Sequence, residues 1–182
     1  MNTRTTPTTT SEISTDPADY RHAETYRVRY ADLDTYRHVN NKSFLTYVED
    51  ARVLYLVAGA GFRHHHEEQH GVMVVHAAID YLAQIHAFEE VTVYTRCARI
   101  GTKSVTLHHL LQVERPATTA GSDASGDAAP ASKGRRPDAP PRRAALSTTI
   151  FATVDMQTGS SMVVPQEMID HITSYERIPP QR

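Results

Sequence analysis

From Lys42 to Gly59 the chain carries a helical repeat with almost no polar side. Phe44, Tyr47, Val48, Ala51, Leu54, Tyr55 and Ala58 recur at i, i+3, i+4 and i+7 and mark one broad apolar face. Leu45, Val53, Leu56 and Val57 share the other side with Thr46, Glu49, Asp50 and Arg52. A helix of this kind needs protein over most of its circumference, so some other layer must wrap it. At a rise of 1.5 Å per residue it spans about 27 Å, enough to cross a small domain. Its apolar run is too short and too broken by charge to cross a bilayer.

The wrapping layer is predicted to be a sheet. Val75, Ala77, Ile79 and Tyr81 alternate with His76, Ala78 and Asp80, and Val91 and Val93 with Thr92 and Tyr94. Val105, Leu107, Leu111 and Val113 fall at period two, and Ile150, Ala152 and Val154 alternate with Thr149, Phe151 and Thr153. The expected fold is α+β, a single domain in which antiparallel strands curl around one long central helix. A short last helix is predicted from Pro165 to Tyr175.

Composition sets the limits of that domain. Residues 1–22 are rich in Thr and Ser, lack an apolar run, and read as a disordered leader. Residues 116–143 contain five of the ten prolines and no aromatic or large aliphatic residue, so they cannot build a core and read as a disordered insert at a hairpin tip. Roughly 130 residues remain for one domain within 23–178. A net charge of −2 gives no case for nucleic acid, and a single cysteine, Cys97, excludes an internal disulfide and suits a reducing cytoplasm. Cys97 lies in a strand pattern and reads as a small core residue.

The chemistry is concentrated at the start of the helix. A strand-like stretch, Tyr26 to Tyr30, leads into Asp32, Asp34, His38, Asn40 and Asn41. The asparagines stand where an amide oxygen can accept from the first unpartnered helical N–H groups. Those same N–H groups favour a developing negative charge.

Together these residues resemble the hotdog-fold acyl thioesterases of the 4-hydroxybenzoyl-CoA thioesterase-like superfamily. In that family a first strand ends in D-x-D, followed by a short loop and the N-terminus of a long central helix. Here the D-x-D is Asp32-Leu33-Asp34 and the loop ends in His38-Val39-Asn40-Asn41. The segment is similar to bacterial acyl-CoA thioesterases with an H-V-N-N turn and to plant acyl-ACP thioesterases. Ala78 to Leu82 followed by Glu90 to Val93, and Arg99-Ile100-Gly101 followed by Lys103-Ser104, resemble the same family. Two positions depart from it. Arg37 stands where bacterial members usually have Gly, and Tyr36 where the plant enzymes have an Asn of proposed catalytic role, so that role is not carried over.

The resemblance implies hydrolysis of an acyl thioester, with acyl-CoA or acyl-ACP as substrate and no cofactor. Asp34 would attack the carbonyl, giving a mixed anhydride, or activate a water as general base. The backbone N–H at or just after Asn41 would bind the oxyanion, an interaction often worth roughly 3 to 4 kcal/mol of barrier. His38 would orient Asp34 or the water, and Asp32 would serve as an acceptor within the turn. Glu49 is kept as a second carboxylate that could reach the thioester. Lys103 and Ser104 are expected to contact the pantetheine or phosphates of CoA, and Arg135, Arg136, Arg142 and Arg143 either meet the nucleotide or form a solvated tether. Family members pair side by side with substrate between subunits, so a homodimer or tetramer is implied; an exposed sheet edge also has its own reason to pair. The rival function is a non-catalytic acyl-CoA-binding module on the same fold, which would keep the groove and have no need of Asp34; a hydratase would need a His-bearing pattern absent here.

The run Arg63 to His70 contains His66, Glu67 and His70 at the spacing of H-E-x-x-H. Gly61 and Gly71 bracket it and no amphipathic helix carries it, so it reads as a polar connection with no functional metal.

Overall fold

The computed structural model describes residues 12–61, 70–114 and 140–182. Asn40 is the pivot of the chain. Its backbone is extended and its side chain accepts from Lys42 N–H at 2.9 Å, which starts the helix α1, Asn41–Gly59. Before it come β1, His22–Arg27, and a 3₁₀ turn, Tyr30–Asp32; after it come β2, His70–Tyr81, β3, Glu90–Ile100, β4, Ser104–Val113, β5, Arg142–Asp155, and a last helix α2, Gln166–Tyr175. The five strands make one antiparallel sheet in the order β1-β3-β4-β5-β2. No described helix is long and apolar enough to cross a membrane.

The sheet wraps one side of α1 and divides its interior in two. Toward the helix start, Phe44, Tyr47, Val48 and Ala51 pack on Val28, Val91, Val93, Leu111 and Ala145. Toward its end, Tyr55 and Leu56 pack on Cys97, Leu107, Phe151 and, from α2, Met168 and Ile172. Between these apolar clusters a polar row crosses the sheet: His22 pairs with Thr95, Thr95 with His109, and His109 with Ser147. Thr95 and His109 are fully buried and share a hydrogen bond of 3.0 Å.

Several expectations are revised. Coverage of α1 is one-sided within the chain: Leu45, Val53, Leu54 and Val57 are between 36% and 47% exposed. Leu56 faces the core, whereas Leu54 and Ala58 face outward. The first strand lies earlier than Tyr26–Tyr30, because Val28 pairs with Glu89 and Phe88 through its backbone and Arg29 begins a closed turn. On β5 it is Phe151, with Thr149 and Thr153, that is buried, while Ile150 and Ala152 are half-exposed. The leader boundary at residue 22 moves back: Ile13 and Tyr20 are buried, and Tyr20 O–H donates to Ser14 O at 2.7 Å. Residues 1–11 and, of the predicted insert, 116–139 lie outside the described residues. The insert's last residues belong to β5, where Arg142 pairs with the buried Glu89 at 2.6 Å. At the other end the chain stays packed past residue 178, with Ile100 N–H donating to Gln181 O. Cys97 is buried in the second cluster, and burial, with Glu176 nearby, pushes its thiol well above the usual range.

Candidate active site

The loop before α1 is built around two carboxylates with different surroundings. The 3₁₀ turn ends strand alternation, so Asp32 points into the core and Asp34 to the surface hollow. Asp32 is 4% exposed. Its Oδ2 accepts from Arg29 N–H, Arg29 Nε and Tyr47 O–H, and its Oδ1 from Arg29 Nη2 at 2.8 Å. The bond from Arg29 holds its carboxyl below the usual carboxylate range. Its main-chain oxygen accepts from Asn40 N–H and from Ser43 Oγ–H. Asp32 thus ties the loop to the first turn of α1, the structural role expected of it.

Asp34 is half-buried, and its Oδ1 accepts from Tyr36 N–H at 2.8 Å and His38 N–H at 3.2 Å. Both bonds fall on one oxygen, and Oδ2 has no partner among the described residues. The main chain closes the same turn, with Asp34 N–H donating to His38 O and Arg37 N–H to Asp34 O. Closure puts Arg37 at φ 65°, the left-handed region that glycine adopts without cost. Arg37 thus takes, at some cost in backbone strain, a conformation that Gly at this position would adopt freely.

At the helix start, Lys42 N–H is capped by Asn40 Oδ1, and Ser43 and Phe44 N–H bond to Asn40 O. The Asn41 N–H is the amide of this first turn left without a partner among the described residues. Asp34, His38 and Asn41 come together in one hollow of about 330 Å³, whose other walls include Phe44, Tyr81 and Gln84. Phe44 and Tyr81 meet edge to face with centroids 5.1 Å apart, and His38 contacts His86 in the same manner at 5.1 Å. The hollow thus offers an anionic oxygen, an imidazole and a free amide beside a helix N-terminus, the groups needed to attack a carbonyl and to hold its oxygen.

His38 restrains Asp34 through its backbone N–H; no bond joins its ring to the carboxylate. Glu49 does not line the hollow: it is exposed on α1 and pairs with Arg52 at 3.4 Å. Lys103 and Ser104 lie elsewhere within the chain. Ser104 pairs with Ala152 and Tyr81 with Ala145, seven residues apart on β5, or about 23 Å at 3.3 Å per residue. Lys103 Nζ donates to Ser161 O at 3.0 Å and fastens the loop after β5. Tyr81, Leu82, Ala83 and Gln84 were missed as wall residues; Tyr81 and Leu82 carried a signal, as part of the Ala78–Leu82 stretch. Residues 63–69 of the His-rich run lie outside the described residues, and His70 begins β2. Among the described residues no three metal-ligating side chains cluster.

Comparison with known proteins places this geometry. An uncharacterised Bacillus subtilis protein, YsmA, is 30% identical over 83 residues, a match covering 46% of this chain and about half, 55%, of that protein. The PA5185 protein of Pseudomonas aeruginosa is 20% identical, with a TM-score of 0.67 over 91% of this chain and 97% of that one. A Thermus thermophilus thioesterase, solved in complex with coenzyme A and zinc, is 25% identical, with a TM-score of 0.65 over 88% of this chain and 98% of that one. Residues 28–172 match the model of the thioesterase-like superfamily. That span holds the Asp32–Asn41 loop, α1 and strands β2 to β5, and with the antiparallel sheet around one helix it makes this chain a hotdog-fold member of the thioesterase-like superfamily.

Proposed function

We propose that this protein hydrolyses acyl-CoA thioesters in the cytoplasm. The observation that carries the reading is the meeting of the Asp34 carboxylate and the unpartnered Asn41 N–H in one hollow. The thioester carbonyl lies with its oxygen on Asn41 N–H, where the positive end of α1 favours the charge that develops. Asp34, held through Oδ1, presents Oδ2 to the carbonyl carbon or to a water beside it. The CoA-bound Thermus relative supports CoA as the carrier.

A second copy completes the groove in this reading. β2 is an edge of the sheet, and Met73, Val74, Val75 and Tyr81 along it are 43% to 63% exposed. Antiparallel pairing of two β2 edges sets the Met73 end of one subunit beside the Tyr81 end of the other. Met73, Ala152 and Ser104 share a row, so Lys103 and Ser104 of each subunit return to the neighbour's hollow, where contact with pantetheine or phosphate is possible.

The test is thiol release from a panel of acyl-CoAs by wild type and Asp34→Asn. The expected loss in the variant is two or more orders of magnitude in kcat. Full turnover in Asp34→Asn would move the role to another residue. A folded protein inactive on every CoA thioester would favour an acyl-ACP substrate or the binding module.

A further inference from the structure

A second hollow opens along the same seam as the first. On α1, Asn41, Arg52 and Leu56 fall on one side, and each lines a hollow together with residues of β2. The proposed active site occupies the start of that seam, between Asn41 and Tyr81. Near its other end lies a recess of about 300 Å³, walled by Leu56, Val72, Val74 and Phe151. Arg52 is the one charged side chain among the residues lining it.

Arg52 is poorly provided for where it sits. Its side chain is only 15% exposed, and enclosing a guanidinium against apolar walls is costly without a well-placed anion. Glu49 is its ion-pair partner, but at 3.4 Å and with a side chain 65% exposed it is screened by solvent. Helix side chains lean toward the N-terminus, so the guanidinium, within reach of Glu49, stands between the levels of residues 49 and 52. That is about 12 to 17 Å along the axis from Asn41, too far to touch a thioester and within reach of the far end of a medium or long acyl chain. The sheet turns polar nearby, in the row of Thr95, His109 and Ser147, and Arg52 helps keep the buried His109 neutral.

We infer that this chain accepts acyl groups bearing a carboxylate at their far end, and that Arg52 receives that carboxylate. The inference rests on the thioesterase reading above. A planar guanidinium matches a carboxylate through two parallel N–H bonds, and between apolar walls such a bond discriminates strongly against a methyl end.

The experiment compares CoA monothioesters of α,ω-dicarboxylic acids with plain straight-chain acyl-CoAs of equal length, for wild type and Arg52→Met. Wild type is expected to favour the carboxylate-ended series by about tenfold or more in kcat/KM, mostly through KM, and Arg52→Met to bring the ratio toward one. Turnover of both series without preference, or a preference that Arg52→Met leaves intact, overturns the inference and leaves the thioesterase reading standing. If neither series is turned over, that reading fails, and calorimetric binding of the free dicarboxylates and monocarboxylates decides the inference alone: Arg52-dependent selection supports it and none overturns it. A variant that is well folded but altered in subunit number on light scattering would assign Arg52 to a subunit contact instead and overturn the inference.

Discussion

Asp32 accepts four hydrogen bonds on its carboxylate, from Arg29 and Tyr47, and Asp34 accepts two, both on one oxygen. Saturation makes the first a fastener, and the spare oxygen makes the second a candidate reagent. This division was legible in the sequence because every group involved except Tyr47 lies within 13 residues of chain, where turn chemistry and capping set the geometry. The far wall was not legible. Ala83 and Gln84 reach the hollow through the pairing of His38 with His86 and of Val39 N–H with Ile85 O, contacts no local pattern announces. Buried histidines give the residue scale its own test. Burial pushes His109 down to about 3 and His108 to about 4, and lowers His22. In the unfolded chain they titrate near 6.5, so below that pH the unfolded state binds protons that the folded state refuses. Stability is therefore full above about 6.5 and is lost as pH falls toward the folded values, by up to about 1.4 kcal/mol per pH unit for each group. The urea midpoint is expected to drop clearly between pH 7 and pH 5; a level midpoint would show that these rings are not held neutral.

At the scale of the element, α1 shows how far periodicity carries. The helix and its cap follow from the sequence because 3.6-residue recurrence and an asparagine at the start act locally. Which of Leu54 and Leu56 faces inward was decided instead by what lies opposite, since α2 and Phe151 build the second cluster around Leu56. The shift of β1 has a similar cause: Arg29 and Asp32 close a reciprocal cap that bends the chain out of the sheet just where the residue pattern still reads as extended. Past the end of α1, Gly61 sits at φ 66°, and a Cβ there would stand 2.6 Å from the His171 ring of α2. His171 is half-exposed and can swing away, so the backbone term dominates. Gly61→Ala is expected to cost about 1 to 2 kcal/mol, seen as a melting temperature lower by several degrees in calorimetry. An unchanged melting temperature would mean that the turn relaxes freely.

For the whole molecule, the uncovered side of α1 and the bare edge of β2 call for a single explanation. Leu45, Val53 and Val57 on the helix, with Met73 and Val75 on the strand, leave apolar surface that one chain does not bury. The sequence demanded that α1 be wrapped, and one copy of the sheet wraps about half of it. Val75 is 63% exposed, so Val75→Asp leaves the single chain's core untouched. In light scattering this variant is expected to run as a monomer where wild type runs as a dimer, and in the acyl-CoA assay it should lose most turnover. A wild type that is itself monomeric and active would refute the paired groove.

The polar row across the sheet has a further consequence, for how the strands find one another. Strand alternation repeats every two residues, so apolar patterning alone cannot tell the native alignment from one displaced by two. Such a slip between β3 and β4 would take Thr95 from His109 and set Val93 or Cys97 opposite it, stranding the imidazole Nδ1 in a dry interior. His109 and Thr95 thus act as a register key, one polar pair whose hydrogen bond forms in a single alignment and penalises its nearest competitors.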